Sequence, residues 1–140
     1  MLSRVLALLL ISTKGFAQSR RVTDAEVARV QKSVLLIDTH NDVTSFTVDG
    51  YDIGSHGSKM MTDISRLRAG GVGATFFAVY VDKKFVEGNH SAHRTLDMID
   101  TVRHDITDRY PNDFSLALTA GDIERIHREG KIAALLGIEG

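Results

Sequence analysis

The chain has 140 residues, of which 43% are hydrophobic and 25% charged, and its formal net charge is −1. This composition is typical of globular domains, and the balanced charge gives no broad attraction for nucleic acid or for an anionic membrane surface. Cysteine is absent, which excludes disulfides and thiolate metal sites, so a bound metal would need His, Asp, Glu or backbone oxygen ligands.

The first 17 residues have the pattern of a secretory signal peptide. Arg4 supplies a positive charge, an unbroken apolar run follows it, and Gly15 and Ala17 are the small residues of a cleavage site. The apolar run is far shorter than the ~20 residues that span a bilayer, and an uncleaved anchor with membrane association is the alternative. We therefore expect residues 1–17 to be removed and residues 18–140 to be exported, either to the periplasm or as a secreted protein.

A short helix and a strand are predicted next. Thr23 and Glu26 form a capping-box pattern for a helix that runs to about Lys32. Residues 34–38 (VLLID) are apolar and partly β-branched, which predicts a strand that is buried on both faces.

The rest of the chain alternates between helices and strands. In chain order, the pattern predicts a long loop at 44–61, a helix at 63–69 capped by Thr62, a buried strand at 72–81, a helix at 90–110, a short strand at 114–118, a helix from Thr119 to Gly130 and a buried strand at 131–140. In the longest helix, the residues expected to face the core are Ala92, Leu96, Ile99, Val102, Ile106 and Tyr110. This alternation favours a parallel α/β sheet with right-handed crossovers and covering helices.

The predicted sheet is too small for a complete barrel. A (β/α)8 TIM barrel needs ~250 residues, and the last predicted strand ends the chain with no helix to cover it. We therefore expect residues 18–140 to be the N-terminal part of such a barrel, with a small open sheet as the alternative. Because unpaired strand edges and uncovered apolar faces promote association, we expect the isolated chain to be poorly soluble or molten.

Two of the predicted strands end in potential metal ligands. His40 and Asp42 follow the first strand, and Glu139 lies at the end of the last one. Chemistry in barrels of parallel strands is located at the carboxyl ends of the strands, and a neutral imidazole with carboxylates suits zinc. The alternative for the His-x-Asp triplet alone is an ordinary turn, in which Asp and Asn cap the backbone.

The other histidines are expected to lie on the surface. His56 stands in the long loop, and His90, His93 and His104 lie on or beside the longest helix. We expect the helical histidines to belong to a solvated stripe with Arg94, Asp97, Arg103 and Asp108. A metal site formed by His93 and His104 is the alternative.

Three blocks occur in a distinctive order: IDTHND at 37–42, DISRLRAGGVGATFFAVY at 63–80 and GIEG at 137–140. In composition and order they resemble the membrane (renal) dipeptidases and their bacterial relatives, the M19 metallopeptidases. The resemblance implies a barrel enzyme that hydrolyses the peptide bond of dipeptides at a centre with two Zn2+ ions. It implies that His40 and Asp42 bind the first ion and that Glu139 bridges both.

The resembling family takes further ligands from later strands. These are two histidines for the second zinc and a late aspartate that assists proton transfer, so we expect the 140-residue fragment alone to be inactive. The expected partner is a dipeptide substrate, and a homodimer is possible. Two alternatives stay open: an inactive truncated pseudoenzyme or metal-binding remnant, and another amidohydrolase-type metallohydrolase, although those usually begin with a His-x-His motif.

Overall fold

The structure is a computed structural model that describes residues 20–55 and 59–139. The predicted signal peptide, His56 and Gly140 therefore lie outside the described residues. No helix among the described residues is both long and apolar enough to cross a membrane.

Four parallel strands form one sheet in the order β1-β2-β4-β3. The strands are β1 (Leu36–Asn41), β2 (Val72–Tyr80), β3 (Phe114–Leu116) and β4 (Ile132–Glu139). The helices are α1 (Asp24–Ser33), α2 (Thr44–Thr47), α3 (Ile64–Ala69), α4 (Ser91–Thr101) with a π-helical continuation (Val102–Asp108), and α5 (Ala120–Arg128), besides a 3-10 turn (Lys83–Phe85). The predicted parallel α/β sheet is confirmed.

Helices cover both faces of the sheet. On one face, Phe77 of β2 packs with Leu67 of α3 and with Val102 of the π-helical segment. On the other face, Ala74 packs with Ile126 of α5. The order of the strands explains this arrangement, because the chain returns from edge strand β3 to β4, and a right-handed crossover in the reverse direction places its helix on the opposite face.

The first strand forms where its apolar sequence predicts a strand, but its predicted burial is wrong. Val34 is 48% exposed, and Leu36 and Ile37 are each 38% exposed. The reason is that β1 is an edge strand with β2 as its neighbour, and α1 buries none of its own residues. A cavity of about 350 Å³ lies between residues of α1, α3 and α5.

The predicted burial is confirmed for β2, most of which is buried. In β4 only residues 132–134 are buried and Ile138 is 70% exposed, so the predicted burial is wrong for the second half of that strand, which extends to the open edge of the sheet. A side chain at Gly73 would place its Cβ 2.5 Å from Leu35 Cδ1 and 2.7 Å from His127 Nδ1. A larger residue at position 73 would require the side chains of Leu35 and His127 to move, so the glycine in this apolar run has a packing reason.

Several details of the helices differ from the prediction. Asp63, not Thr62, caps α3, because its Oδ1 accepts a hydrogen bond from Arg66 N at 2.8 Å. The predicted loop at 44–61 begins with the short helix α2. In the longest helix, Leu96 is 64% exposed, whereas Met98 and Thr101 are buried. The apolar pattern of the sequence did not predict this face, because one of its buried residues is a polar threonine.

Candidate metal centre

The three predicted ligands meet at the carboxyl edge of the sheet. His40 lies near the end of β1, Asp42 follows that strand, and Glu139 ends β4. His40 Nε2 is 3.2 Å from Asp42 Oδ1 and 3.5 Å from Glu139 Oε2. Strand β2 separates β1 from β4 in the sheet, so the two ligand-bearing strand ends approach each other above the end of β2.

A β-bulge in β1 turns His40 toward Glu139. Asp38 pairs with Thr75 and Asn41 pairs with Phe77, so three steps along β1 match only two steps along β2. The extra residue places Asp38 and Asn41 on the same face of the sheet, the face of Phe77. His40 then lies on the opposite face with Glu139. A bulge that re-aims a side chain in this way is a common device next to functional sites.

Side-chain hydrogen bonds close around the bulge. Asp38 Oδ2 accepts a hydrogen bond from Asn41 Nδ2 at 2.8 Å, and Asp38 Oδ1 accepts one from the backbone N–H of His40 at 3.2 Å. Asn41 Oδ1 in turn accepts a hydrogen bond from the backbone N–H of Val43 at 3.1 Å. The chain around His40 is therefore held by hydrogen bonds from the side chains of Asp38 and Asn41.

The three predicted ligands line a cleft of about 400 Å³. Its other lining residues are Ser45, Phe46 and Tyr80, which were not predicted as site residues. Tyr80 ends β2 and pairs in register with Glu139. The rule that strand ends carry the site, applied to the second strand as well, would have found it. Ser45 and Phe46 belong to α2, whose placement the sequence did not reveal.

A second, smaller cavity of about 250 Å³ adjoins this cleft and shares Asp42 and Phe46 with it. The remaining lining residues include Val43, Met60 and Met61, with Lys59 among them. Its wall is therefore largely apolar, whereas the first cleft presents the imidazole and both carboxylates.

The donor set fits zinc in its chemistry. Ligands that share a tetrahedral zinc at about 2.0–2.2 Å lie about 3.3–3.5 Å from one another, and both His40 contacts are close to this spacing. Within residues 20–55 and 59–139, however, no group of three or more His, Asp or Glu side chains is placed so that it could hold a metal ion. The fit is therefore one of residue types and of the two His40 distances, and not of a formed metal site.

The histidines of the longest helix lie outside this cleft. His93 pairs with Asp97 at 3.2 Å, and His104 pairs with Asp100 at 2.9 Å. The solvated stripe is confirmed for these exposed histidines. It is wrong for Arg94, whose side chain is only 15% exposed, because it pairs with Asp49 and lies over the ring of Phe85.

A half-buried tyrosine contact holds the loop around Asp52 and Gly54. Tyr110 donates a hydrogen bond to Asp52 Oδ1 at 2.5 Å, and Arg109 pairs with Oδ2 of the same carboxylate at 3.1 Å. The hydrogen bond from Tyr110 lowers the pKa of Asp52, and the same contact raises the pKa of Tyr110. A side chain at Gly54 would collide with the Tyr110 hydroxyl, so the loop lies directly against this ring.

Comparisons with known proteins agree on one family. The profile of the membrane dipeptidases, peptidase family M19, matches residues 24–140. Dipeptidase ataJ of Aspergillus terreus is 38% identical over 126 residues, which cover 76% of this chain and 29% of that protein. Dipeptidase verJ of Clonostachys rogersoniana is 30% identical over 132 residues, which cover 83% of this chain and 34% of the relative. The chain thus spans about a third of the length of these relatives.

Solved structures show the same fold at low sequence identity. Dipeptidase AC, a metallopeptidase of family M19, superposes with a TM-score of 0.66 at 20% identity, over 76% of this chain and 35% of its own. A metallopeptidase from Rhodobacter sphaeroides, liganded with a phosphinate mimic of the dipeptide L-Ala-D-Ala, gives 0.64 at 17% identity, over 76% and 38%. The probable dipeptidase PvdM from Pseudomonas aeruginosa gives 0.71 at 16% identity, over 81% and 30%. The prediction that this sheet is part of a larger α/β fold is confirmed.

Proposed function

Because the chain belongs to the membrane dipeptidase family, peptidase family M19, we propose that it is the N-terminal part of a zinc-dependent dipeptidase. The observation that carries the proposal is the contact of His40 Nε2 with both Asp42 and Glu139. These residues come from two strands that are not neighbours in the sheet, and their convergence provides an imidazole and two carboxylates in one cleft.

Each ligand has a distinct role in the proposed centre. His40 and Asp42 would hold the first ion, and Glu139 would contribute its carboxylate to both ions. Bound zinc lowers the pKa of water and polarises a carbonyl group.

The cleft supports a small peptide as substrate. A volume of about 400 Å³ lies in the range of ordinary small-molecule sites. Tyr80 can donate a hydrogen bond to a carbonyl oxygen, and Phe46 covers the cleft with an apolar ring. The Rhodobacter sphaeroides neighbour was liganded with a dipeptide mimic, which supports the choice of a dipeptide over a longer chain.

Zinc titration of the purified chain tests the proposed centre. We expect one weakly bound ion, measured by competition with a chromophoric chelator at low micromolar protein concentration. His40→Ala, Asp42→Ala and Glu139→Gln should each reduce the affinity at least tenfold. The matched control is His93→Ala, since this histidine also pairs with an aspartate but lies on α4. Equal affinities for all four variants and the unaltered chain would contradict the proposed centre.

An activity assay separates the proposal from its alternatives. We propose that the 140-residue chain binds metal but does not turn over dipeptides, because the remaining ligands of a two-zinc centre are not among its residues. Zinc-dependent hydrolysis of a dipeptide by the purified chain would contradict this inactivity. Hydrolysis of lactones or cyclic amides in a substrate panel would favour the wider amidohydrolase class instead.

We also propose that the complete protein is exported. This rests on the charge, the apolar run and the small residues within residues 1–17. Expression of the full chain, followed by amino-terminal sequencing of the exported product, should reveal a new terminus after Ala17. Recovery of an unprocessed chain would contradict it.

A further inference from the structure

We propose that Asp38 and Asn41 form a side-chain clamp that fixes the β1 bulge and so holds His40 on the same face of the sheet as Glu139. The inference rests on the proposed function, since it assumes that His40 is a metal ligand. Asp38 and Asn41 lie on the opposite face, that of Phe77. They are positioning residues, because they act on the ion through His40.

The clamp consists of three hydrogen bonds within six residues. Asp38 accepts one from the Asn41 amide and one from the His40 backbone N–H. Asn41 accepts one from the Val43 backbone N–H. A bulge leaves a residue unpaired in the ladder, so these side chains satisfy backbone donors in the segment where strand pairing is interrupted.

The bulge needs such support because β1 pairs with only one strand, β2, in the sheet that residues 20–55 and 59–139 form. Successive side chains of a strand point to opposite faces, so loss of the one-residue bulge would turn His40 to the face away from Glu139. Neither α1 nor a second neighbouring strand restrains β1 among the described residues. The local hydrogen bonds of the clamp therefore decide the direction of the ligand.

The two residues are complementary and their order matters. An aspartate only accepts hydrogen bonds, whereas an asparagine both donates and accepts. In Asp38→Asn one of the two acceptor oxygens becomes an NH2 group, so with the other oxygen on the His40 N–H this donor faces the Asn41 Nδ2 donor and one hydrogen bond is lost. Asn41→Asp alone sets two carboxylates against each other. The exchange of both residues restores a donor opposite an acceptor, keeps an acceptor for the His40 and Val43 backbone groups, and leaves the net charge unchanged.

The swap of Asp38 and Asn41 tests the clamp. Zinc affinity is measured by chelator competition for the unaltered chain, for Asp38→Asn, for Asn41→Asp and for the variant that carries both substitutions. Each single variant should bind zinc at least tenfold more weakly, and the double exchange should recover to within about threefold. Asn41→Asp is the most informative variant, since its added negative charge would by itself strengthen cation binding. Asp97→Asn on α4 is the control for removal of an exposed carboxylate, and it should leave the affinity unchanged.

Hydrogen–deuterium exchange rates of the backbone amides in residues 36–43 test the hydrogen bonds of the clamp in the absence of zinc. The backbone amide hydrogens of His40 and Val43 should exchange faster in each single variant. In the variant that carries both substitutions, they should exchange at the original rate. If the unaltered chain binds no zinc, the proposed metal centre fails, but this measurement still tests the clamp. Unchanged exchange in the single variants overturns the clamp. Faster exchange with undiminished zinc affinity overturns its positioning role.

Discussion

The central strands β2 and β4 and the run at residues 34–37 that leads into edge strand β1 are all apolar, but they differ in environment. Phe77, Val79 and Ala134 in the centre are fully buried, whereas Leu36 and Ile37 of β1 are 38% exposed. The centre of the sheet holds the fold together, and the edge carries two of the three proposed ligands. The difference teaches that burial depends on the neighbours of a strand, while the placement of the ligands depends on where each strand ends.

Truncation of a central side chain should have the largest effect on stability. Phe77 is fully buried and makes an edge-to-face contact with Phe114 at 6.0 Å between ring centroids. Phe77→Ala should cost about 3–5 kcal/mol in the free energy of unfolding, since it leaves a large cavity. The matched variant is Phe46→Ala on the half-exposed α2, which should cost about 1 kcal/mol or less. Urea unfolding followed by circular dichroism measures both. Equal losses would contradict the contrast.

The edge strand should control association of the isolated chain. Because the centre of the sheet is packed, we expect the isolated chain to be poorly soluble rather than molten. An exposed apolar edge is a template for pairing between chains. Ile37→Lys should increase the monomer fraction several-fold in sedimentation velocity. Leu96→Lys removes an exposed apolar side chain from a helix and should change it little. The idea fails if both lysine variants behave alike.

Two capping boxes permit a finer comparison. Thr119 caps α5, which buries Ile126, and Thr23 caps α1, which buries no residue. Thr119→Ala should cost about 1 kcal/mol of global stability. Thr23→Ala should fray α1 and leave the unfolding midpoint unchanged, because α1 contributes little to the packed core. An equal shift of the urea midpoint in both variants would contradict this.

Acid should weaken the α5 cap in a defined range. Hydrogen bonds from Thr119 and an ion pair with Arg125 lower the pKa of Asp122 from 3.8 to about 2. Since the pKa of the folded state is lower than that of the unfolded chain, the contribution of Asp122 is complete above pH ~4 and is lost as the pH falls through about 2. An NMR titration of the Asp122 carboxyl carbon measures this. A midpoint for Asp122 near 4 would contradict the depressed pKa.

Local sequence determined much of what the structure shows. Thr23 with Glu26 and Thr119 with Asp122 specify helix starts through short-range hydrogen bonds. The apolar runs specify strands, and the alternation of strands with helices specifies parallel pairing. His40, Asp42 and Glu139 could be proposed as neighbours for the same reason, since parallel strands bring their carboxyl ends to one edge of the sheet.

Tertiary structure decided the rest, because it depends on contacts between segments that are distant in sequence. The position of β4 between β2 and β3 follows from strand pairing and not from chain order. Leu36 and Ile37 are partly exposed because β1 pairs only with β2 in the described sheet. The bulge that turns His40 toward Glu139 exists only as a register between β1 and β2. Sequence thus supplied the ligands and their edge of the sheet, whereas the pairing of strands selected the face on which they meet.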